Sequence, residues 1–524
     1  MFLNITREEW KFLGAIWAIV AAVVFLPFVV GYFLTPDGSI FLFKPILRNS
    51  ADYASYFSKI EQAKQGIYFF KDFFTSEPQP SGVVNPFYLL IGLFAKFFNL
   101  SNAAAFHAAS FLLIPVFLIT AYRFVSFFFE EISKRKVGFI FLIFGSGITM
   151  WGSWAFSLTI LINPPHFIAS LTLLMLIFMF SMYFFENHQL RYGFLAGLCA
   201  FLLISFHPYN IYTIVFVPLA FLVTEYITDR KIHFNHILHY ISVLIFCMPP
   251  LLYYMWVFNN VAIYYQTLFL QNGTYTPPPW IVLADFSLLL VLAGFGVRFI
   301  LGQKDRKKRH IFLMVWMASQ FFLVYLPIST QARLFQGLGV PITIFAAYGF
   351  LFLRDSFAQK IPGKTLFTFS NVALVLLMWF SISRLFFIDA YYTNMGKNAD
   401  SDVYITQDSE NAMIWIRQNT PAQSVILSND RNGNNIACIA FRHVYMGHYG
   451  ETAKFYEKRM HYYAFFENYS ITEKKEFLAT NNIGYFFWSA EEKAMAGSFN
   501  PDDASFLKKV YASGQIAVYK VDLF

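Results

Sequence analysis

Long apolar stretches alternate with short polar loops over roughly the first three quarters of the chain. A helix needs about 20 mostly apolar residues to cross the hydrocarbon layer of a membrane. The pattern therefore predicts a polytopic membrane protein with about eleven transmembrane helices. They are predicted at residues 12–34, 102–129, 137–154, 166–185, 192–206, 209–227, 237–257, 280–301, 311–327, 336–353 and 365–388.

The stretch from Asn49 to Gly66 has the spacing of an amphipathic helix between the first two spans. Its apolar side chains, beginning with Tyr53, recur at i, i+3, i+4 and i+7, and the polar ones fall on the opposite side. We expect this helix to lie at the membrane surface, with its apolar face among lipid or neighbouring spans and Asp52 beside the interface. Residues 85–98 predict a second interfacial or re-entrant helix, which closes the outer loop 35–101.

The composition changes after Ile388, where the charge density becomes that of a soluble domain. Strands that alternate with helices in this part indicate a small α/β domain. We therefore divide the chain into a transmembrane domain at 1–388 and a soluble domain at 389–524. The pattern predicts helices near 410–418, 453–466 and 472–478, and strands near 424–429, 484–488 and 515–521.

The basic residues of the loops predict the orientation of the chain. The short loops at 155–165, 207–208, 258–279 and 328–335 contain one basic residue between them, Arg333. Because basic loops stay in the cytoplasm, the amino terminus is predicted to be cytoplasmic. With an odd number of spans, the soluble domain then lies outside. The loops on the cytoplasmic side contain Lys134, Arg135, Lys136, Arg191, Arg230, Lys231, Lys304, Arg306, Lys307, Lys308, Arg309, Arg354, Lys360 and Lys364.

The composition agrees with a membrane protein and argues against nucleic-acid binding. Of the 524 residues, 57% are hydrophobic, 21% are aromatic and only 13% are charged. The formal charge of +8 comes from short loops and forms no basic stripe, so no nucleic-acid partner is expected. Cys199, Cys247 and Cys438 indicate no disulfide framework. Together with the lack of targeting signals, they favour the plasma membrane of a prokaryote.

Four chemically capable residues from separate segments share the predicted outer side. They are Asp52, His166 in NPPHF, His207 in FHPYN and Arg333 in STQARLFQG. The span interiors hold few charges, whereas an ion-coupled transporter would place ionisable groups near the membrane midplane. The pattern therefore favours a reaction at the outer surface.

The layout resembles the GT-C superfamily of polytopic glycosyltransferases, whose relatives include protein O-mannosyltransferases and lipid A aminoarabinose transferases. The segments that carry the likeness are NSADYASYFSKIEQAKQG, VVNPFYLLIGLFAK, PPHF, FHPYN, QARLFQGLGVPITIFAAYG and, in the tail, VYMGHYGETAKFYEKR. The resemblance implies a GT-C fold and a polyprenyl-phosphate-linked sugar donor. It further implies that Asp52 is the base and that Arg333 faces the donor phosphate. Several such families carry a paired acidic motif in this loop, whereas Tyr53 follows Asp52 here.

The residue types fit glycosyl transfer on chemical grounds as well. Attack of a hydroxyl on an anomeric carbon needs a base, and a guanidinium can stabilise the departing phosphate. His166 and His207 could bind a divalent metal with Asp52, orient the phosphate or hydrogen-bond a sugar hydroxyl, and the sequence leaves these alternatives open. Tyr53 and His448, the latter in the tail motif GHYGET, are further candidate substrate-binding residues.

Each candidate also has a structural explanation. Asp52 could complement the helix dipole, and the two histidines could cap helices. Arg333 could be an interfacial anchor. The tail motif with Gly447, His448 and Thr452 could be a turn that leads into a helix. Three further acids of the outer loop are expected to be solvated, with Asp72 as a reserve base. They are Glu61, Asp72 and Glu77.

The sequence thus predicts a membrane glycosyltransferase that moves a sugar from a polyprenyl-phosphate carrier to an acceptor at the outer face. The acceptor could be a protein, a lipid or a glycan. Two other classes stay open. One is a transporter or flippase that moves lipid-linked sugars without transferring them, and the other is a non-catalytic scaffold whose tail binds an envelope partner.

Overall fold

The computed structural model of the protein describes residues 5–44, 50–80, 82–148, 153–303, 307–358, 360–396 and 403–522, with the backbone alone for Ser153 and 384–396. Asn49, Lys304 and Arg306, which the sequence-based predictions include, lie outside these ranges. The helices are α1 (Arg7–Phe33), α2 (Ser50–Lys64), α3 (Pro86–Phe97), α4 (Asn102–Ser126), α5 (Ile132–Phe144), α6 (Ser157–Leu161), α7 (Pro165–Asn187), α8 (Leu190–Phe206), α9 (Ile211–Asp229), α10 (Phe234–Asn260), α11 (Ala262–Tyr264), α12 (Pro279–Leu301), α13 (Lys308–Leu323), α14 (Gly339–Phe357), α15 (Gly363–Gly396), α16 (Gln407–Asn419), α17 (Asp430–Asn435), α18 (Phe455–Glu467), α19 (Ile471–Thr480) and α20 (Ala490–Met495).

Shorter elements complete the fold. Tyr265–Gln271 and Ile436–Ala440 form π-helical turns, and 3₁₀ turns occur at Ser153–Ala155, Pro208–Asn210, Gln331–Phe335 and Pro501–Asp503. The strands are β1 (Ser39–Phe41), β2 (Tyr404–Thr406), β3 (Val425–Leu427), β4 (His443–Val444), β5 (Ile483–Trp488), β6 (Leu507–Ser513) and β7 (Ile516–Val521).

Eight helices in the described ranges are long and apolar enough to cross a membrane, so the chain is a multi-pass membrane protein. They are α1, α4, α7, α9, α10, α12, α14 and α15, with α9 and α14 extended by the 3₁₀ turns before them. The three other predicted spans correspond to shorter helices: α5 has 13 residues, α8 has 17 and α13 has 16. Residues 149–152, within the predicted span 137–154, lie outside the described part of the chain. The predicted polytopic helical fold is confirmed.

The chain forms two compact units. The first, here called the helical unit, comprises Met1–Leu26, His107–Met255 and Gly273–Phe387. Glycines bring two of its helices into backbone contact, because a Cβ atom on Gly296 of α12 would lie 2.9 Å from the backbone nitrogen of Gly349 of α14. In its core, Trp316 is fully buried against Phe178, at 4.6 Å between ring centroids.

The second unit, here called the mixed unit, comprises Pro27–Phe106, Trp256–Asn272 and Ile388–Phe524. Its central sheet has the strand order β4-β3-β5-β7-β6. The strands β4, β3 and β5 are parallel, whereas β7 is antiparallel to both β5 and β6. The predicted small α/β domain is confirmed, with α16, α18, α19, β3, β5 and β7 near their expected positions. The sequence reading missed the short strand β4 and the edge strand β6.

Helix α2 lies within the mixed unit and is buried on both sides. Its apolar side packs on α3 at Gly92, where a Cβ atom would meet the side chain of Ala63 and would lie 2.7 Å from the carbonyl oxygen of Ile60. The polar side is buried as well, and the prediction that Glu61 is solvated is wrong. Only 8% of Glu61 is exposed, because it accepts a 2.9 Å hydrogen bond from Arg417 of α16. The buried polar residues of α2 are Ser55, Ser58, Glu61 and Gln62.

Candidate functional site

The tail motif GHYGET forms a closed turn between β4 and α18. The hydroxyl of Thr452 accepts a hydrogen bond from the backbone N–H of Gly447 at 2.9 Å and donates one to the carbonyl oxygen of Phe74 at 2.6 Å. The backbone N–H of Thr452 also donates to the carbonyl oxygen of His448 at 2.7 Å. The turn expected for Gly447 and Thr452 is therefore present, and it holds His448 in a fixed position.

His448 contacts Asp52, which lies in the first turn of α2. The Nε2 atom of His448 is 2.6 Å from Oδ1 of Asp52. The histidine side chain is 7% exposed, whereas the aspartate side chain is 35% exposed. Asp52 is thus held by a buried partner while part of its carboxylate stays open to solvent.

The backbone of the turn selects the tautomer of His448. The N–H of Gly450 donates to Nδ1 of His448 at 3.0 Å. An accepting Nδ1 carries no proton, so in the neutral ring the proton is on Nε2 and is donated to Asp52. Burial lowers the pKa of His448, but the hydrogen bond and charge of Asp52 outweigh it and leave this pKa above its ordinary value. The protonated ring would still donate from Nε2 to Asp52, but its Nδ1 could no longer accept from Gly450.

A second ion pair lies beside this contact. Glu451 accepts hydrogen bonds from Ser55 at 2.6 Å and from Lys59 at 3.0 Å, both on α2. Burial raises the pKa of Glu451, but Lys59 and His448 outweigh it and lower this pKa overall. Asp52, Ser55 and Lys59 are spaced at i, i+3 and i+7, so one face of α2 meets the tail turn.

Asp72 is buried close to this ion pair. Only 8% of the residue is exposed, so the prediction that it is solvated is wrong. Its Oδ1 accepts a 2.8 Å hydrogen bond from the backbone N–H of Phe74. Burial and the charge of Glu451 raise the pKa of Asp72 well above its ordinary value. Glu77, also expected to be solvated, is held instead by Lys458 of α18 at 2.7 Å.

The helical unit brings together three other candidate residues. The rings of His166, at the start of α7, and His207, after α8, are 5.0 Å apart between centroids. Tyr209 lies between His207 and the third residue, Arg333. The hydroxyl of Tyr209 is 3.0 Å from Nδ1 of His207. The guanidinium carbon of Arg333 is 5.3 Å from the centroid of the Tyr209 ring. The imidazoles and the guanidinium thus form one polar cluster in this unit.

His166 is not the cap residue of α7, whereas His207 occupies cap positions without a capping hydrogen bond from its side chain. Helix α7 begins at Pro165, and its N-cap residue is Pro164, so His166 lies inside the first turn. His207 is the C-cap residue of α8 and precedes the next 3₁₀ turn, where its side chain makes no capping hydrogen bond. Tyr53 is only 3% exposed and packs on Phe106 at 4.9 Å, so its substrate-binding role stays a prediction.

Three side chains that could ligate a metal lie close together near the C-terminal end of α9, the end far from His207. Glu225, Asp229 and His233 place their ligand atoms within 4.8 Å of one another. The ammonium of Lys308 lies 2.7 Å from Glu225 and 3.2 Å from Asp229. This lysine supplies the positive charge that the two carboxylates need, so ion pairing explains the group. The divalent metal that His166 and His207 could bind with Asp52 stays a prediction.

The sequence-predicted residues therefore form two groups. Asp52 and His448 meet in the mixed unit, and His166, His207 and Arg333 meet in the helical unit. The sequence reading had proposed Asp52 and His448 separately and missed their pairing, since 396 positions separate them. The sequence reading also missed the contact between Lys59 and Glu451. The available signal was the opposite charge of the two residues, one on the amphipathic helix and the other in the glycine-containing turn.

No protein-family model and no curated protein sequence matches the chain. Solved structures match it over almost its full length. The oligosaccharyltransferase of Archaeoglobus fulgidus, tethered to an acceptor peptide with the NVT sequon, has a TM-score of 0.58 at 14% identity, covering 93% of this chain and 70% of that one. The archaeal oligosaccharyltransferase AglB from Archaeoglobus fulgidus, with an inhibitory peptide and a dolichol-phosphate, has a TM-score of 0.54 at 12% identity, covering 98% and 74%.

A further match extends over nearly the full length of both chains. ArnT from Cupriavidus metallidurans, bound to undecaprenyl phosphate, has a TM-score of 0.54 at 10% identity. The match covers 98% of this chain and 98% of that one. These matching proteins are GT-C membrane glycosyltransferases, so the predicted GT-C fold is confirmed. At such identities the similarity shows the fold alone.

Proposed function

We propose that this chain, which has the GT-C fold, is a membrane glycosyltransferase that uses a polyprenyl-phosphate-linked sugar as donor. The observation that carries the proposal is the contact between Asp52 and His448. A carboxylate that is 35% exposed and fixed by a 2.6 Å hydrogen bond is suited to act as a general base. The dolichol-phosphate and undecaprenyl phosphate bound by the matching proteins support the donor class.

In the proposed reaction, Asp52 takes the proton of an acceptor hydroxyl. The acceptor oxygen forms a bond to the anomeric carbon of the sugar, and the bond between that carbon and the phosphate oxygen breaks. The electron pair leaves with the polyprenyl phosphate. His448 donates to one carboxylate oxygen and leaves the other available for the proton. A single displacement of this kind inverts the anomeric configuration.

We assign Arg333 to the donor phosphate. A guanidinium offers paired, always-charged donors that match a phosphate better than an ammonium does. Tyr209 supports this side chain through its ring, at 5.3 Å from the guanidinium carbon. The neighbouring His166 and His207 can orient the same phosphate or hydrogen-bond a sugar hydroxyl. If a divalent metal binds the two imidazoles, it would neutralise phosphate charge.

We further propose that the mixed unit lies on the outer side of a prokaryotic plasma membrane. The scarcity of basic residues in the short loops on that side supports this orientation. A lipid-linked donor can then present its head group at the membrane surface while its tail stays in the bilayer. Leaving the tail there avoids a cost of about 0.8 kcal/mol for each buried methylene that would otherwise be exposed.

The proposal is tested with purified protein in vesicles that contain an undecaprenyl-phosphate sugar labelled in the sugar. A membrane extract provides protein, lipid and glycan acceptors. We expect label to move to an extract component and undecaprenyl phosphate to accumulate in equal amount. Movement of the labelled lipid between leaflets without either product would identify a flippase and contradict the proposal. Deletion of the tail domain should lower transfer at least as much as the loss of His448 alone, and intact transfer without the tail would argue against a scaffold that acts through the tail.

A further inference from the structure

Helix α18 exposes an apolar stripe on the mixed unit. Tyr456, Met460 and Tyr463 recur at i, i+4 and i+7 and are 74%, 66% and 39% exposed. The opposite side of the helix is buried and largely aromatic, apart from Lys458, which pairs with Glu77. Its buried aromatic residues are Phe455, Tyr462, Phe465 and Phe466. Two tyrosines and a methionine exposed in one row on a helix are suited to an interfacial environment, although charged residues border the row.

The start of α18 is tied to a segment that continues directly from a membrane span. Span α10 ends at Asn260, and α11 and the π-helical turn follow it. Gln271, the last residue of that turn, donates to the carbonyl oxygen of Thr452 at 2.7 Å and accepts from the backbone N–H of Lys454 at 2.8 Å. All these residues belong to the mixed unit, so α18 begins beside the segment that directly follows a helix long and apolar enough to span a membrane.

The same segment exposes apolar side chains of its own. Tyr265, Phe269 and Leu270 of the π-helical turn are 41%, 46% and 57% exposed. Residues this apolar, directly after a span, are typical of the layer between hydrocarbon and water. The π-helical turn and α18 therefore both expose apolar side chains, and the hydrogen bonds of Gln271 hold the two segments together.

The polar residues around the stripe fit the same layer. The guanidinium carbon of Arg459 lies 5.7 Å from the ring centroid of Tyr463, and the side chain of Lys454 is 60% exposed. Tyrosine with arginine or lysine beside it is common where an apolar surface meets lipid head groups. Glu457 lies at the border of the stripe and pairs with Lys454 at 3.7 Å.

We propose that the α18 stripe docks on the lipid surface of the bilayer that the spans cross, at the level of the head groups. The partner is phospholipid, with Tyr456, Met460 and Tyr463 entering the interface and Lys454 and Arg459 facing the phosphates. This docking fixes the tail domain at the membrane surface. It does not depend on glycosyl transfer, so it can fail or hold independently of the proposed function.

The test uses spin labels on the full chain. The three native cysteines are buried, and a wild-type reaction measures any background labelling. Single cysteines replace Met460 in the stripe and, as the matched control, Lys508, an exposed residue of edge strand β6. Tyr456→Cys serves as a second stripe position. The labelled proteins are placed in nanodiscs of equal parts phosphatidylcholine and phosphatidylglycerol, without other proteins.

Collisions with oxygen, which concentrates in lipid, are compared with collisions with a water-soluble nickel complex. We expect the ratio of oxygen to nickel accessibility to be several-fold higher at positions 456 and 460 than at 508. Equal ratios at the stripe and control positions would overturn the proposal. If the stripe positions are as accessible to the nickel complex as position 508, the stripe faces water in these nanodiscs and would be available to a protein partner instead.

Discussion

The Nε2 atom of His448 lies 2.6 Å from Oδ1 of Asp52 and joins residues that are 396 positions apart in the chain. The contact makes the tail turn part of the environment of the proposed base. The backbone N–H of Gly450 fixes the other ring nitrogen at 3.0 Å, so the donor to Asp52 cannot easily turn away. The α/β domain therefore contributes a side chain to the candidate site, in addition to any role in holding the fold.

We predict that His448→Ala lowers kcat by about 10- to 100-fold. A hydrogen bond to a charged group is worth about 1.5–3 kcal/mol, and each 1.36 kcal/mol is a factor of about ten in rate. His448→Gln should recover most of the loss, because its amide N–H can donate to the same carboxylate oxygen. Steady-state kinetics with the labelled donor measure both variants.

The control for His448 is His461→Ala, an exposed histidine on α18. This variant should keep wild-type kinetics. If His448→Ala and His448→Gln lose the same activity, or if only the KM for the donor changes, His448 does not position the base.

We predict that Asp72→Asn stabilises the protein more at high pH than at low pH. Because burial and Glu451 raise the pKa of Asp72, the folded state holds this proton more tightly than the unfolded state. Stability is therefore lost as pH rises from the ordinary pKa of an aspartate through the raised one. The asparagine has no proton to lose and still accepts the N–H of Phe74.

Thermal unfolding of the purified variants checks this sign. The increase in Tm over wild type should be larger at about pH 8 than at about pH 5. Asp37→Asn, at an exposed position of the same loop, is the matched control, and its Tm change is compared with that of Asp72→Asn at each pH. An equal Tm change for Asp72→Asn at both pH values would show that Asp72 is ionised in the fold.

We predict that Gly92→Ala destabilises the packing of α2 on α3. The added Cβ atom would meet Ala63 and would lie 2.7 Å from the carbonyl oxygen of Ile60. Overpacking of this kind typically costs about 1–3 kcal/mol. Gly294→Ala is the matched helical control, because nothing lies within 4 Å of its added Cβ atom. A lower Tm for the control than for Gly92→Ala would contradict the described helix contact.

The sequence predicted the fold well where local pattern decides it. The span pattern, the amphipathic stretch that forms α2 and the alternation after Ile388 each have a local period that fixes the element. It failed for the polar face of α2. Glu61 was expected in water because the local sequence gives no sign of Arg417, which binds it from 356 positions away. In the loop after α2, Asp72 was likewise expected in water, yet it is buried and accepts the backbone N–H of Phe74.

The candidate site shows the same limit. Residue type and predicted side selected Asp52, His166, His207 and Arg333, and the helical unit indeed groups the last three. The pairing of Asp52 with His448 depends on how the first loop meets the tail domain within the mixed unit. No periodicity in either segment encodes that contact, and two-residue strands such as β4 give too little pattern to locate it.

We predict that Arg333→Lys weakens donor binding by about tenfold while leaving the fold intact. Lysine keeps the charge but loses the paired donors, and the loss of one charge-assisted hydrogen bond is worth about 1.5 kcal/mol or more. Arg191→Lys is the matched control, since its guanidinium carbon also lies over a tyrosine, 4.8 Å from the ring of Tyr192. Titration with the undecaprenyl-phosphate sugar measures the Kd. Equal effects of the two variants would remove Arg333 from the donor site.

The most direct measurement of the central claim compares Asp52→Asn with Asp37→Asn in single-turnover transfer from the labelled donor. Both changes remove one carboxylate from the same loop, and only the first removes the proposed base. We expect Asp52→Asn to lower the transfer rate by about 10²- to 10⁴-fold with donor binding unchanged, and Asp37→Asn to match wild type. Transfer by Asp52→Asn at the wild-type rate would contradict the assignment of Asp52 as the base.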